Sequence, residues 1–335
     1  MSGDDLLMDI RNEVVQAEKR IRPHVRQTIL EYSPALSQQS GAEVYCKLEN
    51  LQLTGSFKFR GAMNKLLSLT DAVRSKGVVA ASTGNHGAAV AYSIQKLDTP
   101  GIIFVPENAD PSKVAIVRQS GAEVRFYGCD CAETEVHARQ YATMKGMTYV
   151  SPYNDLQVIG GQGTLGIELE QQLRPIDAVF VSLGGGGLIS GIAGYLKHAD
   201  PSVEIIGCSP ENSQVMIQSL EAGRIVEIPS LPTLSDGTAG GIEDGAVTFE
   251  FCQKLVDTCL TVTEEEIRAS LLLFMRAHHM MIEGAAAVAI ASFLKVQEHF
   301  KNKTVVLLIC GANIGLETLK QALQGPQDLA STFTP

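Results

Sequence analysis

Apolar and polar positions along this chain follow two periods. Leu7, Ile10, Val14, Ala17 and Ile21 recur every three to four residues, which predicts an N-terminal amphipathic helix. Short Val- and Ile-rich runs then take over. The runs "VVAAS", "GIIFVP" and "EVRFYG" are separated by helix-period segments over 87–97 and 112–120, giving a β-α-β-α-β block. A second set, "AVFVSL", "VEIIGCSP", "CLTVT" and "VVLLIC", has helix or loop after each run. Such alternation predicts an α/β protein with parallel sheets flanked by helices. We place a small domain at 61–150 and a large one at 1–60 and 151–325, with a loose tail over 326–335. Residues 223–245, rich in Gly, Pro, Ser and Thr, read as a loop able to line a site.

Composition narrows the function without naming it. A chain of 335 residues, 45% hydrophobic and 19% charged, buries a core without disulfides or metals. A net charge of −10 with no basic run argues against a nucleic-acid partner. The seven cysteines, at 46, 129, 131, 208, 252, 259 and 310, form no CxxC pair and follow no secretory leader. A reducing, cytoplasmic setting is expected, with most of the thiols in the core. The longest apolar runs, such as "GAAAVAIASFL", fall well short of the roughly 20 residues of a membrane span.

In open α/β sheets ligands bind beyond the carboxyl ends of the strands, and three junctions of that kind are unusual here. "ASTGNHG" (Ala81 to Gly87) sets small polar groups at a helix N-terminus, a natural place for a carboxylate. "SLGGGGLISG" (Ser182 to Gly191) lets backbone wrap an anion, and a phosphate is its natural guest. "LLICGAN" (Leu307 to Asn313) ends a buried strand with a thiol. The glycine run does not match GxGxxG in every register and no GK[ST] follows, so neither a dinucleotide fingerprint nor a P-loop is present. His86 alone reads more readily as a structural histidine than as a ligand. His278 and His279 lack the HExxH spacing of a zinc site and receive no role. A fourth stretch, "TGSFKFRGA", places Lys58 between a glycine turn and the start of a helix. That lysine, a phosphate cradle and a strand-end thiol together suggest a phosphorylated aldehyde held as a Schiff base.

At this point the sequence resembles a known family. "GSFKFRGA", "STGNHG", "GGQGTLGIELE", "GGGG", "EGAAA" and "CGAN", in this order across nearly the whole chain, are similar to the serine/threonine dehydratase and serine racemase branch of the pyridoxal-phosphate enzymes of the tryptophan-synthase-β type, fold type II. The resemblance implies that Lys58 is the Schiff-base lysine and Phe57 packs beside the ring of pyridoxal 5'-phosphate. It implies that Gly237 flanks the other face of the ring and Asn85 bonds its phenolic oxygen. Gly184, Gly185, Gly186 and Gly187 would hold the phosphate, Glu283 would lie near the ring, and Cys310 would face the pyridine nitrogen. Ser82, Thr83, Asn85 and His86 would grip the substrate carboxylate, which makes the small domain the substrate side. The family also implies a homodimer acting on a small amino acid.

A neutral thiol at the ring nitrogen leaves a weaker electron sink than a carboxylate would, which favours prompt β-elimination over a long-lived carbanion. The expected reaction is dehydration and deamination of L-serine or L-threonine to a 2-oxo acid and ammonia, with Lys58 as base and the cofactor phosphate as acid. A serine racemase or hydroxyaspartate dehydratase is the alternative. Racemase members carry serine where this chain has Thr83, the second catalytic candidate, so inversion is less favoured. The family's cation site includes acidic groups where this chain has Ser209, Ser213 and Val215, with Glu211 near, and we assign no metal. Feedback control through a C-terminal isoleucine-sensing domain is not expected. A β-replacement synthase would show GNTG in place of "GNHG" and a threonine in the phosphate loop. A binding protein without activity would have lost Lys58. A nicotinamide dehydrogenase would carry an acidic residue about 20 positions beyond a true glycine fingerprint.

Overall fold

The fold is built on two sheets, seen in a computed structural model that describes residues 3–324; the tail at 326–335 and the side chain of Leu7 lie outside what is described. The strands are β1 (Leu30–Tyr32), β2 (Glu43–Leu48), β3 (Val78–Ala81), β4 (Gly101–Val105), β5 (Glu123–Phe126), β6 (Thr148–Tyr149), β7 (Ala178–Ser182), β8 (Glu204–Pro210), β9 (Thr258–Val262) and β10 (Thr304–Ile309). One sheet has the order β1-β2-β10-β7-β8-β9, and the other β5-β4-β3-β6. All pairings are parallel except β1 with β2. The chain therefore starts the six-stranded sheet, leaves to build the four-stranded one over 78–149, and returns.

Burial explains this order. Every residue of β7 and β10 is buried, as expected of central parallel strands with helices on both faces. The helix Gly284–Val296, made of small and apolar residues, packs on β7, β8, β9 and β10. Ile10, Val14, Ala17 and Ile21 are fully buried on the helix Gly3–Ile21, which rests on the helix Leu156–Gln172. The seven strand-like runs all form strands. Three strands carried no such signal. β1 and β6 are too short to show a period. In β2, "EVYCKL", Val44, Cys46 and Leu48 point into the core, but so does Lys47, whose charge breaks the apolar pattern.

The segment 223–245 is largely irregular, with one short 3-10 turn at Asp236–Thr238. Cys46, Cys208, Cys252 and Cys310 are buried, Cys259 is half-buried, and Cys129 and Cys131 are exposed. His278 stacks on Phe274 and exchanges a hydrogen bond with Ser33. No helix among the described residues is long and apolar enough to cross a membrane.

Candidate active site

The segment that follows β10 lies beside the start of the helix Lys58–Ser68. Lys58 is its first residue, and its Nζ donates to the Pro152 carbonyl at 2.9 Å and lies 5.2 Å from the centre of the Phe57 ring. Burial lowers its pKa to about 8, against the opposing pull of Cys310 and Glu283. A lysine so placed is a nucleophile and base near neutral pH.

β10 ends at Cys310, whose backbone carbonyl accepts from the Phe57 N–H at 3.0 Å. The Cys310 thiol lies 3.8 Å from Glu283 Oε1. Burial first, and the Glu283 carboxylate second, hold that thiol well above its ordinary range, so it is a neutral S–H. Glu283 is buried, and burial raises it to about 7 despite hydrogen bonds from Asn85, Asn313 and Cys310, with Asp236 adding to the rise. Asn85 Nδ2 stands 2.9 and 3.0 Å from its two oxygens. A Cβ built on Gly237 would be 3.4 Å from Glu283 Oε1 and 4.0 Å from Asn85 Nδ2. Lys58, Phe57, Asn85, Gly237, Glu283 and Cys310, spread over more than 250 positions of sequence, thus share one locality.

After β3 the chain turns through Ser82, Thr83 and Gly84 into the helix Asn85–Lys96. Ser82 and Thr83 are half-buried, and Ser82 Oγ accepts from the Gly84 N–H at 3.1 Å. His86 is buried with Nε2 2.8 Å from the Val150 carbonyl. A carbonyl only accepts, so Nε2 carries the proton. Burial, with Lys58 nearby, depresses the ring to about 3, so it is neutral and ties the helix to the segment that supplies Pro152.

β7 runs into the four glycines, and the helix Gly187–Ala199 follows. Side chains do not fit in this loop. A Cβ on Gly184 would lie 2.8 Å from the Thr238 carbonyl oxygen, one on Gly185 2.5 Å from the Tyr153 ring, and one on Gly187 3.0 Å from Tyr153 Cβ. Gly186 has φ +84, a left-handed conformation that glycine adopts freely. The bare backbone and the positive end of the following helix make a nest for a phosphate.

Sequence reasoning passed over several residues of this site. Asn313 and Glu168 sit inside quoted motifs, "CGAN" and "GGQGTLGIELE", without a role. Arg60 follows Lys58 by two positions and is fully buried, donating to Glu49 at 2.8 Å and Glu168 at 2.7 Å. Lys47 Nζ donates to Glu168 at 2.6 Å. Burial would raise Glu168, but Arg60 and Lys47 bring it down to about 2. The hydroxyls of Ser209 and Ser213 are engaged inside the protein, with the Leu183 carbonyl and Ser230.

A depressed lysine, a neutral strand-end thiol and a side-chain-free anion nest at the ends of parallel strands are the groups that an α/β enzyme using a phosphorylated aldehyde requires. The donor set fits that group: an amine for the aldehyde, backbone N–H groups for the phosphate and a neutral partner for a ring nitrogen. Comparison with known proteins agrees. The chain matches the family model of the pyridoxal-phosphate dependent enzymes over residues 21–311, and it belongs to that family. It is 40% identical over 311 residues to L-threonine ammonia-lyase of Thermotoga maritima, covering 93% of this chain and 77% of that protein. The structure of the processed threonine deaminase isoform 2 of Solanum lycopersicum matches with TM-score 0.90 and 33% identity over 96% of this chain and 94% of that one. Maize serine racemase matches with TM-score 0.87 and 31% identity over 93% and 96%. Pyridoxal phosphate is the cofactor.

Proposed function

We propose that the protein is an ammonia-lyase that converts L-serine or L-threonine to a 2-oxo acid and ammonia. The observation that carries the reading is the neutral Cys310 thiol just after β10, 3.8 Å from Glu283 Oε1. When bound, pyridoxal phosphate supplies an electron sink for the α-carbon, and a neutral partner at its ring nitrogen keeps that sink moderate. Departure of the β-hydroxyl then competes well with the slower course of reprotonation.

The residues divide the work. Lys58 holds the cofactor and, once released, takes the α-proton on Nζ. Gly184 to Gly187 would bind the phosphate, and Phe57 and Gly237 would flank the ring. Asn85 would donate to the ring oxygen, Cys310 would meet the ring nitrogen, and Glu283, bonded to both, would hold them in place. Ser82, Thr83 and the helix N-terminus at Asn85 receive the substrate carboxylate, with His86 fixing that turn. Over the reaction, water leaves across the Cα–Cβ bond and water returns as ammonia is freed.

Two features favour serine or threonine over hydroxyaspartate and over inversion. A second carboxylate on the substrate needs a cation, and among the described residues Lys113 and Arg139, which reach the loop around Gly237, are already paired with Asp236 at 2.9 Å and Glu243 at 2.8 Å. Inversion needs a proton carrier on the face opposite Lys58, and the β-branch of Thr83 restricts its hydroxyl. By its name, the Thermotoga maritima relative acts on L-threonine. We take the enzyme to be a cytoplasmic homodimer. Free cysteines support the first, and exposed Ile29, Leu51 and Met281 near the edge strand β1 support the second.

The test is a substrate panel scored for ammonia and 2-oxo acid, with the D-enantiomer followed in parallel. Thr83→Ser should raise inversion relative to elimination, and Thr83→Ala should remove inversion and spare kcat for elimination, with KM raised by the lost carboxylate contact. Efficient D-serine formation by the unmodified enzyme, with little pyruvate, would overturn the lyase reading.

A further inference from the structure

Residues 54–57 and 310–313 run beside one another in opposite senses, and Asn313 closes the end of that pairing. The Phe57 N–H donates to the Cys310 carbonyl at 3.0 Å, Ser56 and Gly311 form an antiparallel bridge, and the Ala312 N–H donates to the Gly55 carbonyl at 2.9 Å. Asn313 Nδ2 donates to the Thr54 carbonyl at 3.0 Å. Gly55 permits this approach, since its φ is +72 and a Cβ there would stand 2.8 Å from Asn313 Oδ1.

The same residue reaches across to the small sheet's helix. Asn313 Nδ2 also donates to Asn85 Oδ1, and the Asn313 N–H donates to Glu283 Oε2 at 3.1 Å. The Asn85 amide is therefore held at both ends, its oxygen by a group that can only donate and its nitrogen by the Glu283 oxygens. Flipping it would set nitrogen against nitrogen and oxygen against carboxylate. The two Glu283 oxygens belong to one carboxylate and subtend a narrow angle at Nδ2, so one N–H of Asn85 serves both and the second is left for another acceptor. Asn313 is exposed on its remaining side, so it contributes little packing and acts through these bonds.

We propose that Asn313 is a positioning residue for Asn85: by fixing that amide from both sides, together with Glu283, it turns the second Nδ2–H toward the ring oxygen of the cofactor. The proposal rests on the assignment of Asn85 to the cofactor made above. A donor at the ring oxygen draws electron density from it, so the neighbouring nitrogen linked to Lys58 gives up its proton at a lower pH. Releasing Asn85 therefore raises that pH. The titratable groups around Asn85 are Glu283 with Asp236 beyond it, Cys310, Lys58 and His86. All are retained in the Asn313 variants, and Asn313→Asp adds one carboxyl beside them.

The experiment is a pH titration of the visible absorption of purified holoenzyme for the unmodified protein, Asn313→Ala, Asn313→Asp and Asn85→Ala. Asn313→Ala should raise the midpoint by about half to one unit, the size of one hydrogen bond. Asn313→Asp keeps the shape, has no donor hydrogens and adds a carboxylate that favours the protonated nitrogen, and should raise the midpoint at least as far as the alanine variant. In an Asn85→Ala background, adding Asn313→Ala should change nothing further. If Asn85→Ala moves the midpoint and neither Asn313 variant does, this proposal fails alone. If Asn85→Ala itself leaves the midpoint in place, the assignment of Asn85 fails with it. Melting temperature and cofactor stoichiometry accompany each titration, and a variant that cannot load cofactor would overturn the proposal in favour of a purely structural clasp.

Discussion

Lys58 and Arg60 leave the first turn of one helix on opposite sides. Two positions at about 100° each place them roughly 200° apart around the axis. Lys58 reaches the Pro152 carbonyl beside the cleft, and Arg60 enters the interior, where its guanidinium meets Glu49, Glu168, Thr164 and the Arg26 carbonyl. The buried ion network thereby roots the turn that carries the reactive amine.

Removing that root leaves two buried carboxylates short of a partner. Arg60→Leu should lower unfolding stability by about 3–5 kcal/mol, read from chemical denaturation. Arg60→Lys retains the charge but not the fork that bridges both acids, and should recover less than half of the loss. A cost below about 1 kcal/mol for the leucine variant would show that the network does not support the helix.

Lys58 reacts through its neutral form, and its depressed pKa sets where that form appears. In apoprotein mixed with pyridoxal phosphate, the rate of absorbance gain should climb through about pH 8. An unperturbed lysine would give a rise near 10.5. Glu283 favours the charged amine, so Glu283→Gln should move the inflection lower. An inflection at the ordinary lysine value would contradict the burial of the amine, and Lys58→Ala should show no covalent trapping with borohydride and no turnover.

Cys310 is a neutral neighbour and not a nucleophile. Cys310→Ser keeps a neutral group at the same position, and kcat/KM for 2-oxo acid release should stay within about tenfold. Cys310→Asp sets a second carboxyl where the thiol now lies 3.8 Å from Glu283 Oε1. One of the pair must then hold a proton, and elimination should fall by roughly a hundredfold or more. A serine variant as inactive as Lys58→Ala, with cofactor bound, would remove Cys310 from this role.

The phosphate nest depends on backbone without side chains. Gly185→Ala brings a Cβ to 2.5 Å from Tyr153, and overpacking of that kind costs about 1–3 kcal/mol. Cofactor affinity, measured by spectral titration, should weaken by at least about tenfold. Gly223→Ala, at a left-handed position with nothing within 4 Å, should lower stability and leave cofactor affinity unchanged. Equal effects of the two on affinity would count against the nest.

Much of this protein was legible in its sequence because the signals are local. The runs "AVFVSL" and "VVLLIC" form central strands, since a strand covered on both faces must be apolar throughout. "GSFKFRGA", "STGNHG" and "GGGG" mark the strand and helix ends where function collects, since turns and anion nests impose residue types over a few positions. What tertiary structure decided is the pairing of distant groups. Lys47 hid β2, because a lysine in a core strand is stable only when Glu168, 121 residues away, accepts from it. Arg60 received no role from the sequence, since only the folded chain encloses it between Glu49 and Glu168. Asn313 ended a motif without a role, since its partners Thr54, Asn85 and Glu283 come from three remote segments. A sequence displays the periodicity that burial requires along one element, whereas the compensation of a buried charge or an oriented amide is a property of neighbours that only the folded chain brings together.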